Sequence, residues 1–365
     1  MSTALLASLL AAGCALAPAQ PDTPNAISTT APSAWNTPLP HAGRTVDLAL
    51  WWQSLGDPVL VQLIEASEHV SPTLASATSR LRQARAALEN ASAANRPGLA
   101  ANASAQRGVN QSSPTVGTGL QASLDASWEI DLFGANRQAA NAAEARLAGS
   151  GAQWHEARVS VAAETATAYL NWRNCRSLLD VAENDARSRS ETARLSALSA
   201  QAGFTAPAVN ALAQASAAEG RSRATQQRQQ CDSTLKALVA LTALDEHELA
   251  RRLALPAPAL PELAMPAVSS VPAEVLSQRP DLYAAQYEVA AASADLGSSQ
   301  AQRYPRLTLA GSIGALNYST LGTSTDLSTW SIGPLALSLP LFDGGRRAAN
   351  VQSAQARYDE AAALY

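Results

Sequence analysis

The chain has 365 residues, a formal net charge of −4 and only 5% aromatic residues. It contains no block of like charge, and this composition excludes the usual nucleic-acid-binding proteins. Four His and three Cys leave little for metal chemistry, and no Cys-x-x-Cys, His-Glu-x-x-His, Gly-x-Ser-x-Gly or Gly-x-x-x-x-Gly-Lys pattern occurs. We therefore expect no catalytic residue, no metal site and no cofactor, and the chain is predicted not to be an enzyme.

The first 13 residues are typical of a secretory signal peptide. The apolar stretch from Ala4 to Ala12 is too short to span a bilayer as a helix, and it ends in small residues before Cys14. This Gly-Cys ending resembles a lipobox, in which the cysteine becomes the lipidated first residue of the mature protein. Ala11 stands where a lipobox usually has Leu, and Met1-Ser2-Thr3 carries no basic residue, so we expect the true start to lie upstream. The alternative is an ordinary buried cysteine.

One pattern occurs twice along the chain, which makes an internal repeat. Pro72 and Pro97 recur as Pro280 and Pro305, both with an offset of 208 residues (280 − 72 = 305 − 97 = 208). Further along, matching Leu-Phe and Ala-Ala-Asn segments recur with an offset of 209, as a one-residue insertion would give. The predicted organisation is a lipid-anchored extension, a first repeat, a Pro-rich linker and a second repeat. These span residues 14–50, 51–255, 256–272 and 273–365.

Each repeat contains a predicted pair of strands, over residues 98–132 and 306–342. Between Leu120 and Leu132, seven apolar residues alternate with six polar ones, which indicates a strand with one apolar face. Loops are predicted at 108–119 and between Tyr318 and Trp330.

In the second repeat the alternation is broken. Leu335 and Leu337 occupy the odd positions, whereas Trp330 and Ile332 occupy the even ones, so we expect a β-bulge near Pro334. The predicted strands are long enough to cross a bilayer when tilted. The alternative is a small soluble sheet, although no further strands are predicted that would supply a second layer.

A long helical hairpin is predicted over residues 134–255. No proline occurs from residue 134 to 206, and the Ala-rich composition favours helices that approach closely. Gly203 is placed as a helix C-cap and Pro207 as the first residue of the returning helix, which is predicted to run from Ala208 to Leu255. A further long helix is predicted to begin at residue 345.

The geometry of this hairpin also predicts a disulfide. If the two helices are antiparallel about Gly203, then Cys175 and Cys231 lie opposite each other, because their midpoint is residue 203, (175 + 231)/2. An oxidising compartment would close the bond between them. The alternative is two unrelated buried thiols.

The order of these elements resembles the outer-membrane efflux proteins of the TolC type, and Cys14 places the chain nearest to the NodT/OprM-like lipoprotein branch. The resemblance extends over essentially the whole chain. The matching segments are Trp51-Trp52-Gln53-Ser54-Leu55-Gly56-Asp57-Pro58, Gly203-Phe204-Thr205, Arg279-Pro280-Asp281-Leu282, Tyr304-Pro305 and Leu341-Phe342-Asp343-Gly344-Gly345.

The resemblance implies a mainly α fold with membrane β-strands. Three protomers would share a 12-stranded barrel and a periplasmic α-barrel. The implied function is a passive exit duct in the outer membrane for drugs or other small solutes. The implied partners are an inner-membrane pump of the resistance-nodulation-division class and a periplasmic adaptor that meets the tip at Gly203, Phe204 and Thr205. A cap without a partner is the alternative for this tip.

Two other functions stay open at this point. The chain could be the outlet of a type I protein secretion system, or a pore-less periplasmic coiled-coil scaffold lipoprotein. In the family the second long helix continues to its own tip and returns, whereas here it reaches Tyr365 after about 21 residues. We therefore expect that the chain is truncated and that these 365 residues alone form no functional channel.

Overall fold

A computed structural model describes residues 51–110, 113–254 and 279–365. Within these ranges the chain forms eight helices and four strands. The helices are α1 (Trp51–Ser54), α2 (Pro58–Val70), α3 (Pro72–Ala93), α4 (Ala135–Gln201), α5 (Pro207–Thr242), α6 (Glu246–Leu253), α7 (Pro280–Ala301) and α8 (Arg346–Leu364). The strands are β1 (Gly98–Asn110), β2 (Ser113–Ile130), β3 (Arg306–Thr320) and β4 (Thr323–Ser338). The predicted signal peptide, lipid-anchored extension and linker lie outside the described residues.

The chain divides into two compact units. The described part of the first, the sheet unit, comprises residues 79–153 and 279–365, and that of the second, the hairpin unit, comprises 51–78 and 154–254. The sheet unit contains all four strands with α7 and α8. The hairpin unit contains α1, α2, α5 and α6, together with most of α4.

The predicted repeat is confirmed. Helices α3 and α7 both have 22 residues, and they begin at Pro72 and Pro280. Proline suits the first helical turn because its missing N–H would have no partner there. Strands β1 and β3 both begin one residue after the matching prolines Pro97 and Pro305, at Gly98 and Arg306.

The strands form one antiparallel sheet in the order β1-β2-β3-β4. The loops predicted at 108–119 and between Tyr318 and Trp330 are wrong, because β1 extends to Asn110 and β4 already begins at Thr323. Their Gly, Ser and Thr residues favour turns in isolation. Here the backbone pairing of neighbouring strands continues to Asn110 and resumes at Ser113, and a tight turn at Leu321-Gly322 joins β3 to β4.

The predicted bulge near Pro334 is confirmed. Leu309 pairs with Leu335 and Gly311 pairs with Ile332, so two residues of β4 lie opposite one residue of β3. This extra residue changes the alternation of β4 by one position.

The predicted end of the last strand at Phe342 is wrong. Strand β4 ends at Ser338, and Pro340, which has no N–H to donate to a ladder, follows two residues later. The chain then turns into α8. The carboxylate of Asp343 accepts from the N–H groups of Gly345 (3.0 Å) and Arg347 (3.2 Å), which satisfies donors at the start of this helix.

The predicted return helix from Ala208 to Leu255 is also wrong, because α5 ends at Thr242. Ala243 adopts a left-handed conformation with φ +52°, which ends the helix. Asp245 then caps a separate short helix, α6, by accepting from the N–H groups of His247 and Glu248 (both 3.0 Å).

Candidate functional site

The register assigns every strand residue to one of two faces of the sheet, since residues directly opposite each other share a face. The face with the larger hydrophobic residues is here named the apolar face. It carries Leu99, Leu120, Leu124, Trp128, Leu307, Leu309, Ile313, Trp330, Ile332, Leu335 and Leu337. Because of the bulge, Trp330 and Ile332 lie on the same face as Leu335 and Leu337 rather than on the opposite one. Ile332 is 85% exposed and Trp330 is 76% exposed, so this face is uncovered in the single chain.

The continuous apolar run of this face ends before the turns, and one separate apolar pair, Val109 and Val116, lies beyond it. Nearer the β3–β4 turn it carries Arg107 and a pair, Asn317 and Asp326, in which the Asn317 amide donates to the carboxylate of Asp326 (2.7 Å). The apolar part of β2 therefore runs from Leu120 to Ile130. Ten residue steps of about 3.3 Å give a length of about 33 Å along the strand.

The opposite face is here named the polar face. It carries Asn102, Ser104, Gln106, Gln121, Ser123, Asp125, Ser127, Glu129, Thr308, Ser312, Thr329 and Ser331. The carboxylate of Asp125 accepts from the Asn102 amide (2.7 Å) and from the Ser123 hydroxyl (2.9 Å). The hydroxyl oxygens of Ser312 and Ser331 lie 2.9 Å apart across β3 and β4. These bonds tie polar side chains of adjacent strands together along one wall.

One aromatic side chain on the polar face lies over glycines. Tyr318 is directly opposite Gly119 in the register, and its ring extends towards Gly117. Both glycines are buried, whereas Tyr318 itself is half-buried. The turn end of the polar face therefore holds a tyrosine ring lying along the sheet.

The predicted tip is the turn between α4 and α5. Gly203 has φ +78°, a conformation that suits glycine. The N–H of Phe204 donates to the carbonyl of Ser199 (2.9 Å) and that of Gly203 to Ala200 (3.1 Å), the pair of bonds of a Schellman C-cap. The hydroxyl oxygens of Thr205 and Ser199 are 2.5 Å apart.

Apolar side chains surround this tip. Phe204 is 86% exposed and Leu212 is 72% exposed, and Leu195, Leu198 and Val209 are exposed as well. They lie on both helices within about three turns of the turn residue. The backbone of the turn is thus fixed by its own hydrogen bonds, while its hydrophobic side chains are free to contact a partner.

Cys175 and Cys231 form a disulfide, with 5.5 Å between their Cα atoms. Both are buried and pack against Leu179. The amide of Gln227 donates to the carbonyl of Cys175 (3.4 Å), and Arg228 forms an ion pair with Glu183 at 2.6 Å. The hydrogen bond from the Arg228 guanidinium, together with its positive charge, holds the pKa of the Glu183 carboxyl below its ordinary value.

A buried carboxylate connects the start of the hairpin unit to α4. Asp57 caps α2 by accepting from the N–H groups of Val59 (3.0 Å) and Leu60 (3.3 Å). Its second oxygen accepts from the hydroxyl of Tyr169 (2.7 Å) and from the guanidinium of Arg173 (3.2 Å). Burial, together with the bond to Asp57, raises the pKa of Tyr169 above its ordinary value. We name these three residues the Asp57 clamp.

Asp57 lies in a segment that resembles the family, but no role was predicted for it, and Tyr169 and Arg173 were not predicted at all. An Asp-Pro pair is a signal for a helix N-terminus, since Asp favours the N-cap and Pro the first helical position. Nothing in the local pattern points to residues more than 100 positions away. Cys14, by contrast, lies outside the described residues.

Two further observations concern the described ranges. None of their helices is both long enough and apolar enough to cross a membrane. Nowhere in them do three or more His, Cys, Asp or Glu side chains come together in a group suited to a metal ion.

This geometry defines a class of protein with an amphipathic four-stranded sheet and a long helical hairpin, and the comparisons with known proteins agree. The family model "Outer membrane efflux protein" matches residues 63–244 and 271–365. The chain belongs to this family.

Among individual proteins, Nodulation protein T of Rhizobium leguminosarum bv. viciae is 27% identical, over 98% of this chain and 72% of that protein. Outer membrane protein OprJ of Pseudomonas aeruginosa is 29% identical, over 100% and 76%. The Campylobacter jejuni CmeC outer membrane channel has the same fold, with a TM-score of 0.78 at 23% identity over 91% and 75% of the two chains. The predicted fold class, shared with the TolC-type trimeric channels, is confirmed.

Proposed function

We propose that the protein is the outer-membrane channel component of a tripartite efflux system, a passive exit duct for small solutes. The observation that carries the proposal is the amphipathic sheet. A strand segment of about 33 Å that tilts by about 45° spans about 23 Å, close to the height of the apolar band on outer-membrane barrels. The apolar face would then contact lipid, and the polar face would line water.

One protomer cannot form such a duct. Strands β1 and β4 are the two edges of the sheet, and their unpaired backbone groups would be costly in lipid. Closure needs further strands from other copies of the chain. Three protomers with four strands each give the 12-stranded barrel that the family resemblance implies, and we propose this homotrimer.

The partners follow from the same proposal. The energy would come from an inner-membrane pump, of the resistance-nodulation-division class, that delivers solutes through a periplasmic adaptor. The exposed apolar side chains around Gly203, Phe204 and Thr205 suit a contact with this adaptor, because a rigid turn that presents apolar groups buries them at little entropic cost. The helices would extend into the periplasm, and Cys14 would carry the lipid anchor.

The orientation of the sheet can be tested with two substitutions in β2. An Arg at Leu124, on the apolar face, should reduce insertion into the outer membrane, because a charge at mid-bilayer costs about 2–4 kcal/mol on the lipid side. An Arg at Gln121, three residues away on the polar face, should leave insertion intact. The measurement is the amount of heat-modifiable trimer in outer membranes and its conductance in planar bilayers. Equal insertion of the two variants of the full-length protein would refute the proposed faces, and a non-conducting trimer of the full-length wild type would refute the duct.

The tip gives a second prediction. Replacing Gly203 by Leu in the full-length protein should abolish efflux, measured as drug susceptibility of cells, while trimers still reach the outer membrane. A β-carbon at Gly203 would meet no atom within 4 Å, so the damage comes from the left-handed backbone, which L-residues adopt only at a cost. Gly151→Leu, a glycine of α4 that also has open space around it, is the control. Full efflux in the Gly203 variant would place the adaptor contact elsewhere.

Lipidation gives a third prediction. The mature protein should begin at Cys14 and carry acyl chains, because a signal peptide that is cleaved before Cys leaves the new N-terminus to be acylated. Mass spectrometry of the purified protein should show this modified N-terminus, and Cys14→Ser should remove the lipid. An unmodified terminus at another residue would contradict the prediction.

A further inference from the structure

The contact between Tyr318 and Gly117 is unusually close. A β-carbon built on Gly117 would lie 2.2 Å from the hydroxyl oxygen of Tyr318, 2.5 Å from Cζ and 2.9 Å from Cε2. Gly119, the direct partner of Tyr318, would place its β-carbon 3.8 Å from the ring and 3.6 Å from Gln106, which are ordinary contacts. The absent side chain at Gly117 is therefore what allows the ring to lie against the sheet.

The ring is the part that would move if Gly117 had a side chain. The atoms in the way are the far end of Tyr318, which two side-chain torsions can swing, whereas the backbone of β2 is held by ladders on both sides. On the polar face the space beyond the ring is open, since Tyr318 is only half-buried. A methyl group at Gly117 would thus turn the ring away from the sheet and into that space.

We propose that Tyr318 sets the width of the duct at the turn end of the sheet, and that Gly117 keeps its ring against the wall. The inference rests on the proposed function, which makes the polar face the lumen. Twelve strands about 4.8 Å apart and tilted by about 40° enclose a backbone radius of about 12 Å. Three tyrosine rings, one from each protomer, would take up a considerable part of that radius if they pointed inward. Solutes would meet these rings at the same level, next to the turns.

Polymer exclusion from single channels tests the proposal. Trimers of the full-length protein, purified from outer membranes, are placed in planar bilayers, and polyethylene glycols of graded mass are added on the side that the turns face. The largest polymer that still enters, and so lowers the conductance, reports the width of this end. Gly117→Ala should shift this cut-off to a smaller polymer. The double variant Gly117→Ala/Tyr318→Ala should return it to the wild-type polymer or a larger one.

The sheet supplies matched controls. Gly108 lies directly opposite Gly117 on the same face, and a β-carbon there would meet no atom within 4 Å. Gly108→Ala and Gly119→Ala should both keep the wild-type cut-off. If Gly117→Ala does not assemble, Tyr318→Ala alone should shift the cut-off to a larger polymer.

Two results would overturn the proposal while leaving the duct intact. One is an unchanged cut-off in Gly117→Ala or, where that variant does not assemble, in Tyr318→Ala. The other is a narrowed cut-off that persists when Tyr318 is replaced as well. A full-length wild-type trimer without conductance would instead refute the duct, and with it the role of Tyr318.

Discussion

The two halves of the α4–α5 hairpin are held together by different interactions. The base half, beside α2 and α6, contains a core of large side chains, among them Leu60, Leu63, Tyr169 and Leu238, each no more than 1% exposed. The distal half, from the disulfide to the turn, has mostly small buried residues between its helices. They are Ala186, Ala193, Ala217, Gly220 and Ala224.

This difference shows how far the close approach of two helices can by itself stabilise a hairpin. A β-carbon on Gly220 would lie 3.3 Å from the Cα of Ala186, so the helices nearly touch there. Small residues allow this approach but bury little apolar area, and burial is the main source of stability. The distal half compensates with the disulfide and with polar links such as that from Arg189 to Ser216 (2.8 Å).

The Asp57 clamp should give the largest effect and should act on the base half. Asp57→Ala removes a helix cap and the carboxylate that faces Tyr169 and Arg173, and the expected loss is about 3–5 kcal/mol of the free energy of unfolding. Asp57→Asn keeps an oxygen for the cap but not the charge, so it should lose less. Thermal unfolding of the purified trimer measures both. Equal stability of Asp57→Ala and the wild type would show that the base half does not depend on the clamp.

The disulfide should give the next effect, confined to the distal half. Cys175 and Cys231 are 56 residues apart, and releasing a loop of this length costs about 4 kcal/mol in the chain-entropy estimate. Cys175→Ala/Cys231→Ala should therefore make the segment between them susceptible to protease, while the base half stays protected. Treating the wild type with a reductant should reproduce the same cleavage pattern. Protection that does not depend on the disulfide would mean that the small residues suffice.

Gly220 should give the smallest effect of the three. A methyl group there would lie 2.9 Å from the Cδ of Arg189 as well as close to Ala186, so Gly220→Ala should destabilise by about 1–2 kcal/mol through overpacking. Gly151→Ala, in α4 and with open space around it, should instead stabilise by about 0.5–1 kcal/mol through helix propensity. Changes in the unfolding temperature, relative to the wild type, that have the same sign for both variants would contradict close packing in the distal half.

The sequence predicts the elements whose signals are local. Alternation from Leu120 onward identifies β2, and the Gly-to-Pro punctuation identifies the turn at Gly203. The facing positions of Cys175 and Cys231 follow from that turn by counting, because a regular antiparallel hairpin places equidistant residues opposite each other. Each of these inferences needs only a regular residue period within the element and one clear turn signal in the sequence.

The errors come from positions where tertiary contacts override a local preference. Glycines and hydroxyl residues near Gly117 are typical of loops, but here neighbouring strands continue the ladder and Tyr318 covers the glycines. The end of α5 was missed because Ala243 has no preference for a left-handed conformation, and only the cap at Asp245 signals the break. The Asp57 clamp joins residues 112 and 116 positions apart, and no period relates them.

The bulge in β4 has a consequence for how such strands are recognised. Across Gly333 and Pro334 the inside–outside phase of the strand slips by one residue, so a fixed two-residue period splits β4 into two segments of opposite orientation. Deleting either bulge residue would restore a uniform phase in the sequence. In the folded sheet that shorter strand would still carry Trp330, Ile332, Leu335 and Leu337 on one face, whereas a strand that kept both residues without the bulge would turn Trp330 and Ile332 to the opposite face. The bulge is therefore what allows β4 to contain one extra residue while all four side chains stay on the apolar face.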